Sequence, residues 1–297
     1  MQHILKNRFC KIEIILPPLI GDCIMVFNVV NVLKNKLNLS LVCNEYTFKI
    51  VSYLFSSLKI SLLCNKKKSD LIIIDFLSNK ESAEYLSLCN QILTIGFIDG
   101  YFKYDIYLNQ PSCYENNYAS SIFNQVFEIL NISSNKKINF SFDHNWKNQN
   151  QKSFLIVPGA SIINRCYKIE DFIFLAELFE NKPVSFLLGP SEYFLSQYIP
   201  KKFEVFKSNS IKDSLSLVSN QRLVVASEGG FMHIAAAFGV PLIGLFKVAK
   251  KENWFPYENS NQFAIGDSTN DYSFSSQNFN FPIKEVIKKI NLIYDSI

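Results

Sequence analysis

The sequence predicts an α/β protein made of two doubly wound, Rossmann-like domains. Apolar segments of strand length alternate with amphipathic segments of helix length along most of the 297 residues. Because such alternation joins parallel strands through crossover helices, the sheets should be mostly parallel. The alternation forms two runs, separated by residues 141–152, which are polar, lack an apolar period and are predicted to be a linker.

The first run predicts an N-terminal domain over residues 1–145. Its strands are short, apolar and rich in β-branched residues, whereas its helices repeat apolar residues every three to four positions. The predicted strands span residues 10–16, 39–43, 70–76 and 91–97, and the predicted helices span residues 22–37, 45–55, 81–90 and 116–130.

The second run predicts a C-terminal domain over residues 153–281. Its predicted strands span residues 153–159, 184–189, 222–227 and 240–246, and its predicted helices span residues 169–180, 211–220 and 231–239. An amphipathic helix over residues 282–297, with Pro282 near its first turn, ends the chain. This last helix could cross back to the N-terminal domain.

Composition excludes several classes of protein. The hydrophobic fraction of 48% predicts a packed core, and a net charge of +4 is too small for a strongly basic nucleic-acid binder. The seven cysteines include no C-x-x-C pair, which argues against a zinc site or a disulfide framework and fits reduced thiols in a cytoplasm. No apolar run reaches the roughly 18 residues of a membrane helix, and the N-terminus lacks a signal-peptide cleavage site. We therefore expect a soluble, cytoplasmic protein.

The stretch VVASEGGFMHIAAAFGVPLIGLF, residues 224–246, carries the clearest functional pattern. It predicts a strand, a turn at Glu228, Gly229 and Gly230, a helix and a second strand. Ligands of doubly wound sheets bind beyond the carboxyl ends of the strands, and a helix N-terminus presents unpaired N–H groups that suit a phosphate or pyrophosphate. His233 could donate to the same anion. A plain strand-to-helix turn with a core histidine is the alternative, since the full G-x-G-x-x-G pattern is missing.

This stretch resembles the signature of the ADP-heptose:lipopolysaccharide heptosyltransferases, glycosyltransferase family 9. Three further segments resemble that family in the same order: LIGDCIMVFNVVNVLK, VPGASIINRCYKIEDFIFLAELF and FLLGPSE. The resemblance covers residues 10 to about 257. It implies a GT-B fold, in which two Rossmann-like domains face a cleft, with the nucleotide sugar on the C-terminal domain and the acceptor mainly on the N-terminal one. It also implies an inverting transfer without a metal.

The resemblance assigns roles to individual residues. Asp22 matches the proposed base, which would take the proton of the acceptor hydroxyl. Arg165 falls at a family lysine and would stabilise the leaving diphosphate, and Glu192 matches a glutamate that contacts the ribose. Gly230 and His233 match phosphate-binding positions. The alternatives are a helix N-cap for Asp22, a solvated loop arginine for Arg165 and an exposed helix-start glutamate for Glu192.

Three positions depart from the family pattern. Glu228 replaces an aspartate that reads hydroxyls of the donor sugar, Gly229 replaces a serine or threonine that contacts phosphate, and Lys247 replaces a glycine. These departures affect the expected identity of the donor sugar more than the expected binding of the phosphate. Trp254 and Pro256 resemble a segment that could shape the nucleotide pocket, and a packed surface loop is the alternative. The Lys66–Lys68 run could meet anionic headgroups, although such runs are usually solvated loops.

The sequence therefore predicts transfer of heptose from ADP-heptose to a lipopolysaccharide core or related glycan, without a cofactor or a metal. A peripheral contact with the inner membrane is expected, and no nucleic-acid partner. A different nucleotide sugar and a non-catalytic binding protein remain alternatives. A nicotinamide-dependent oxidoreductase is disfavoured because PPLIGD, rather than G-x-G-x-x-G, follows the first predicted strand.

Overall fold

The computed structural model describes residues 11–63, 69–98, 101–109, 125–133, 153–255, 261–266 and 281–295. The chain divides into two compact units, Met1–Asn145 and Trp146–Ile297. The predicted linker over 141–152, the Lys66–Lys68 run and Pro256 lie outside the described residues.

The first unit contains a six-stranded parallel sheet in the order β3-β2-β1-β4-β5-β6. Its strands are β1 Lys11–Ile15, β2 Asn38–Cys43, β3 Lys59–Leu62, β4 Ser69–Asp75, β5 Asn90–Phe97 and β6 Ile106–Leu108. Its helices are α1 Ile20–Lys34, α2 Glu45–Leu54, α3 Lys80–Ser87 and α4 Gln125–Ile129. Local capping defines two helix starts, because the side chains of Asn44 and Asn79 accept backbone N–H groups of the first turns of α2 and α3.

The second unit contains a six-stranded parallel sheet in the order β12-β11-β10-β7-β8-β9. Its strands are β7 Phe154–Val157, β8 Val184–Leu188, β9 Glu204–Lys207, β10 Leu223–Ser227, β11 Leu242–Phe246 and β12 Gln262–Gly266. Its helices are α5 Ile169–Leu178, α6 Ile211–Ser219, α7 Gly230–Ala237, α8 Lys251–Trp254 and α9 Ile283–Asp295, and 3-10 turns occupy Ile163–Arg165 and Pro190–Gln197.

Both sheets are wound in two directions from a switch point. In the first unit the order reverses between β1 and β4, and in the second between β7 and β10. Every strand pair in the part of the chain that the structure describes is parallel. The predicted class, an α/β protein with two doubly wound parallel sheets, is confirmed.

Four strands were not predicted from the sequence. They are the outer strands of the two sheets, β3, β6, β9 and β12. An outer strand is covered by a neighbour on one side only, so its residues need not be continuously apolar. In β9, for example, Glu204 and Lys207 at the two ends are exposed. The inner strands β7, β8, β10 and β11 are buried along their whole length, which gave them a readable apolar run.

The C-terminal helix α9 packs in the core of the second unit. Its side chains Val286, Ile290 and Ile293 are buried in the apolar cluster that also contains Ile243 and Leu245 of β11. None of the helices in the described ranges is long and apolar enough to cross a membrane.

Candidate functional site

The segments that leave the switch point of the second sheet form the candidate site. Strand β7 is followed by a loop over residues 158–166, and the neighbouring β10 is followed by a short connection, residues 228–229, into α7. The Ser227 hydroxyl donates to the Pro158 carbonyl at 2.8 Å, which ties the two segments together. Doubly wound proteins bind ligands at this edge, beyond the carboxyl ends of the strands.

Helix α7 begins at this edge without a side-chain cap. Gly229 is the N-cap residue, and because it has no side chain it makes no cap hydrogen bond to the N–H groups of the first turn. A Cβ added to Gly229 would lie 3.3 Å from the Ala160 Cβ, a tighter contact than most real side chains make. Glycine at 229 therefore permits the loop after β7 to pack against the N-terminus of α7.

Arg165 and Glu228 form an ion pair across the switch point. The Arg165 Nη1 lies 3.1 Å from the Glu228 Oε1, and the carboxylate side chain is 2% exposed whereas the guanidinium side chain is 27% exposed. The description of Arg165 as a solvated loop residue is therefore wrong. Burial raises the pKa of Glu228 to about 7, and Arg165 and the Ala249 N–H act in the opposite direction.

His233 lies inside the first turns of α7 and is 5% exposed. Burial and, secondarily, the charge of Arg165 lower the pKa of His233 to about 4, so the imidazole is neutral at neutral pH. Its Nδ1 is buried and has no hydrogen-bond partner among the described residues. A neutral imidazole with a free ring nitrogen can donate one hydrogen bond to an anion.

Glu192 lies in the 3-10 turn after β8, and its carboxylate rests against two glycines. A Cβ at Gly159 would come within 2.5 Å of the Glu192 Cδ, and a Cβ at Gly189 would overlap its Oε2. The Ser191 hydroxyl donates to its Oε1 at 2.6 Å. Glu192 is half-buried at the same carboxyl edge as Arg165, so it is not an exposed helix-start residue.

The loop that carries Arg165 is fixed by residues at the end of β11. The Lys247 Nζ donates to the Cys166 carbonyl at 2.9 Å, and the Tyr167 hydroxyl donates to the Phe246 carbonyl at 3.2 Å. Burial raises the pKa of Cys166, which keeps this thiol protonated. Trp254 lies in α8, shortly after β11, and is half-buried.

In the first unit, Asp22 lies beyond the carboxyl end of β1, beside the switch point of that sheet. The N-cap of α1 is Leu19, so Asp22 occupies the first turn and the N-cap alternative is wrong. Asp75 ends the neighbouring β4, but it is buried and accepts hydrogen bonds from the Tyr104 hydroxyl and from two backbone N–H groups. Of these two carboxylates, the half-exposed Asp22 is the one that a substrate can reach.

The structure brings together Arg165, Glu228, Gly229, Gly230 and His233 around the start of α7, and it places Glu192 against the adjoining loop. The sequence analysis did not find the ion pair or the contacts that hold the loop after β7. The glycines in VPGAS and LLGPSE were the available signal, since both make room for Glu192.

Two doubly wound parallel sheets, the second with an ion pair and a glycine N-cap at its switch point, define an α/β protein with a candidate ligand site at the strand ends. The family model described as glycosyltransferase family 9 (heptosyltransferase) matches residues 120–283. The chain belongs to this family, and it is a glycosyltransferase.

Solved structures show the same fold at low sequence identity. A glycosyltransferase of family 9 from Veillonella parvula has a TM-score of 0.78 and 15% identity, with 96% of this chain and 98% of that chain covered. The ADP-heptose LPS heptosyltransferase II of E. coli has a TM-score of 0.72 and 12% identity, with 96% of this chain and 99% of that chain covered. The E. coli heptosyltransferase WaaC, solved with ADP-2-deoxy-2-fluoro heptose, has a TM-score of 0.72 and 13% identity, with 94% of this chain and 99% of that chain covered. The predicted GT-B fold is confirmed. No curated protein matches the sequence.

Proposed function

We propose that this glycosyltransferase moves a heptose from ADP-heptose to a lipopolysaccharide core or a related glycan, with inversion and without a metal. The observation that carries the proposal is the uncapped N-terminus of α7, which has a cation, Arg165, beside its first turn. Backbone N–H groups and a guanidinium together suit a nucleoside diphosphate. The E. coli heptosyltransferase solved with ADP-2-deoxy-2-fluoro heptose supports this donor.

The donor would be held by the residues at this edge. The N–H groups at Gly229 and Gly230 and the His233 imidazole would bind the diphosphate, and Arg165 would neutralise the charge that accumulates on its oxygens as the sugar leaves. The Glu192 carboxylate would accept hydrogen bonds from the ribose hydroxyls. Within the described residues, no cluster of three or more His, Cys, Asp or Glu side chains could hold a metal.

The transfer itself would use Asp22 as base. The acceptor hydroxyl oxygen attacks the anomeric carbon from the face opposite the diphosphate, the bond to the diphosphate breaks, and Asp22 takes the hydroxyl proton. A glycan acceptor of this kind is anchored to lipid, so we expect the enzyme to work at the cytoplasmic face of the inner membrane.

A different nucleotide sugar is the second candidate, and one contact favours it. The Glu228 carboxylate, which stands at a family position for reading donor hydroxyls, is engaged by Arg165. The sugar would then be selected by other groups.

Screening nucleotides by thermal shift tests the proposal. ADP at a hundred times its Kd should stabilise the protein by about 2.7 kcal/mol, whereas UDP, GDP and NAD at the same concentration should have smaller effects. Stabilisation by UDP or GDP alone would point to another nucleotide-sugar donor. Stabilisation by NAD alone, or no response to any of the four, would contradict the proposed donor site.

Replacing His233 with alanine should weaken the affinity for ADP by about tenfold to hundredfold. A hydrogen bond to a charged group is worth about 1.5–3 kcal/mol, and His233 is expected to donate one to the diphosphate. Calorimetric titration with ADP measures the loss, and His233→Asn, which retains an N–H donor, should recover part of it. Equal affinities for the wild type and the alanine variant would remove His233 from the site.

A further inference from the structure

Glu228 carries a buried carboxylate. Its only charged partner among the described residues is the more exposed guanidinium of Arg165. The Arg165 Nη1 lies 3.1 Å from one carboxylate oxygen, Oε1. The other oxygen, Oε2, is buried and has no hydrogen-bond partner among the described residues. Burying an ionised carboxylate with one unsatisfied oxygen costs free energy. The contact with Arg165 therefore replaces only part of the hydration that the carboxylate would have in water.

The pair also lies where the proposed donor would bind. Glu228 immediately precedes the N-cap of α7, and the guanidinium of Arg165 is the part of the pair that solvent reaches. A diphosphate at the start of α7 would therefore compete with Glu228 for the same guanidinium, and its negative charge would repel the carboxylate.

We propose that Glu228 is a positioning residue that holds Arg165 while the site is empty, yields the guanidinium to the donor diphosphate, and takes up a proton from water as it does so. This inference rests on the proposed function, because it assumes that a nucleoside diphosphate binds at α7.

Other titratable groups do not account for a proton taken up near neutral pH. His233 is already neutral there, because its pKa is lowered to about 4, and burial keeps Cys166 protonated. Two lysines lie near Ala249, whose N–H faces Glu228: Lys250 follows it directly and Lys247 precedes it by two residues. The pKa of Glu228 is raised to about 7, so this carboxyl changes its charge in the working range.

The direction of the pH effect follows from the charges. Below about pH 7 Glu228 is neutral and leaves Arg165 free for the anion, whereas above it the carboxylate neutralises Arg165 and repels the ligand. Affinity for a nucleoside diphosphate should therefore fall as pH rises through 7. By linkage, the bound anion raises the pKa of Glu228 further, and binding takes up protons.

The test is the Kd for ADP between about pH 6 and 8.5, measured by calorimetry for the wild type and for Glu228→Gln. Glutamine resembles the protonated acid, so the two proteins should have similar affinities at about pH 6 and differ by about fivefold to tenfold at about pH 8.5, the wild type binding more weakly. The β-phosphate of ADP also titrates near pH 6, but this contribution is common to both proteins and cancels in the ratio.

Glu192→Gln provides the matched control, since it removes another carboxylate at the same edge. Its ADP affinity should be lower than that of the wild type, but its dependence on pH should run parallel. If Glu228→Gln does not fold, the wild type suffices: at about pH 8, where free ADP is fully ionised, titrations in two buffers of different ionisation enthalpy should show uptake of a fraction of a proton.

A constant ratio of the two Kd values across the pH range, or no proton uptake by the wild type at about pH 8, would overturn the inference and leave the proposed function standing. If the wild type does not bind ADP at any pH, both fail together. These outcomes are distinct, because the first two require measurable binding.

Discussion

Replacing Asp22 with asparagine should lower the rate of sugar transfer by about 10²–10⁴-fold, the usual contribution of a general base. Asparagine has nearly the same shape but cannot accept the proton of the acceptor hydroxyl. The affinity for ADP should stay within about twofold of the wild type, because the residues proposed to bind the donor belong to the other unit. Transfer is measured by release of the nucleoside diphosphate in the presence of donor and acceptor.

Asp213→Asn is the matched control for Asp22→Asn. Asp213 is the third residue of α6, as Asp22 is the third residue of α1, so both substitutions remove a charge from a helix first turn. Each should cost about 0.3–1 kcal/mol of stability through the helix dipole, and Asp213→Asn should leave transfer intact. Unchanged turnover in the Asp22 variant would exclude Asp22 as the base.

Replacing Gly266 with alanine should destabilise the protein by about 3 kcal/mol or more. Gly266 ends β12 with a φ of +147°, a conformation that L-residues rarely adopt, and a Cβ there would overlap the Phe246 carbonyl oxygen and lie 2.8 Å from the carbonyl carbon. The obstacle is backbone of the neighbouring strand β11, so it cannot move aside as a flexible side chain would. Chemical denaturation measures the loss.

Gly239→Ala separates the contribution of backbone conformation from that of steric overlap. Gly239 also has a positive φ, +67°, but an added Cβ would meet no heavy atom within 4 Å. The Gly239→Ala substitution should lower the free energy of unfolding by about 1–2 kcal/mol, which is the cost of a left-handed conformation for an L-residue. Equal losses for the two variants would contradict the proposed overlap with β11.

The sequence was most informative where burial is complete. The inner strands of the second sheet were predicted because buried parallel strands require continuous apolar runs, as in LIGLF of β11, and β4 of the first sheet has a similar run, LIII. The turn at Glu228, Gly229 and Gly230 was also predicted from the sequence, because two adjacent glycines between an apolar strand and a helix are typical of a turn. The outer strands β3, β6, β9 and β12 were missed for the converse reason.

By itself, then, the sequence determined the alternation of strands and helices, the doubly wound class and the positions at which side chains meet a strand end. Only the tertiary structure decided which of these side chains touch, because strands distant along the chain become neighbours at a switch point. It paired Arg165 with Glu228, set Glu192 against Gly159 and made Leu19 rather than Asp22 the cap of α1. Such contacts depend on strand order and burial, and neither is encoded in the spacing of residues within one segment.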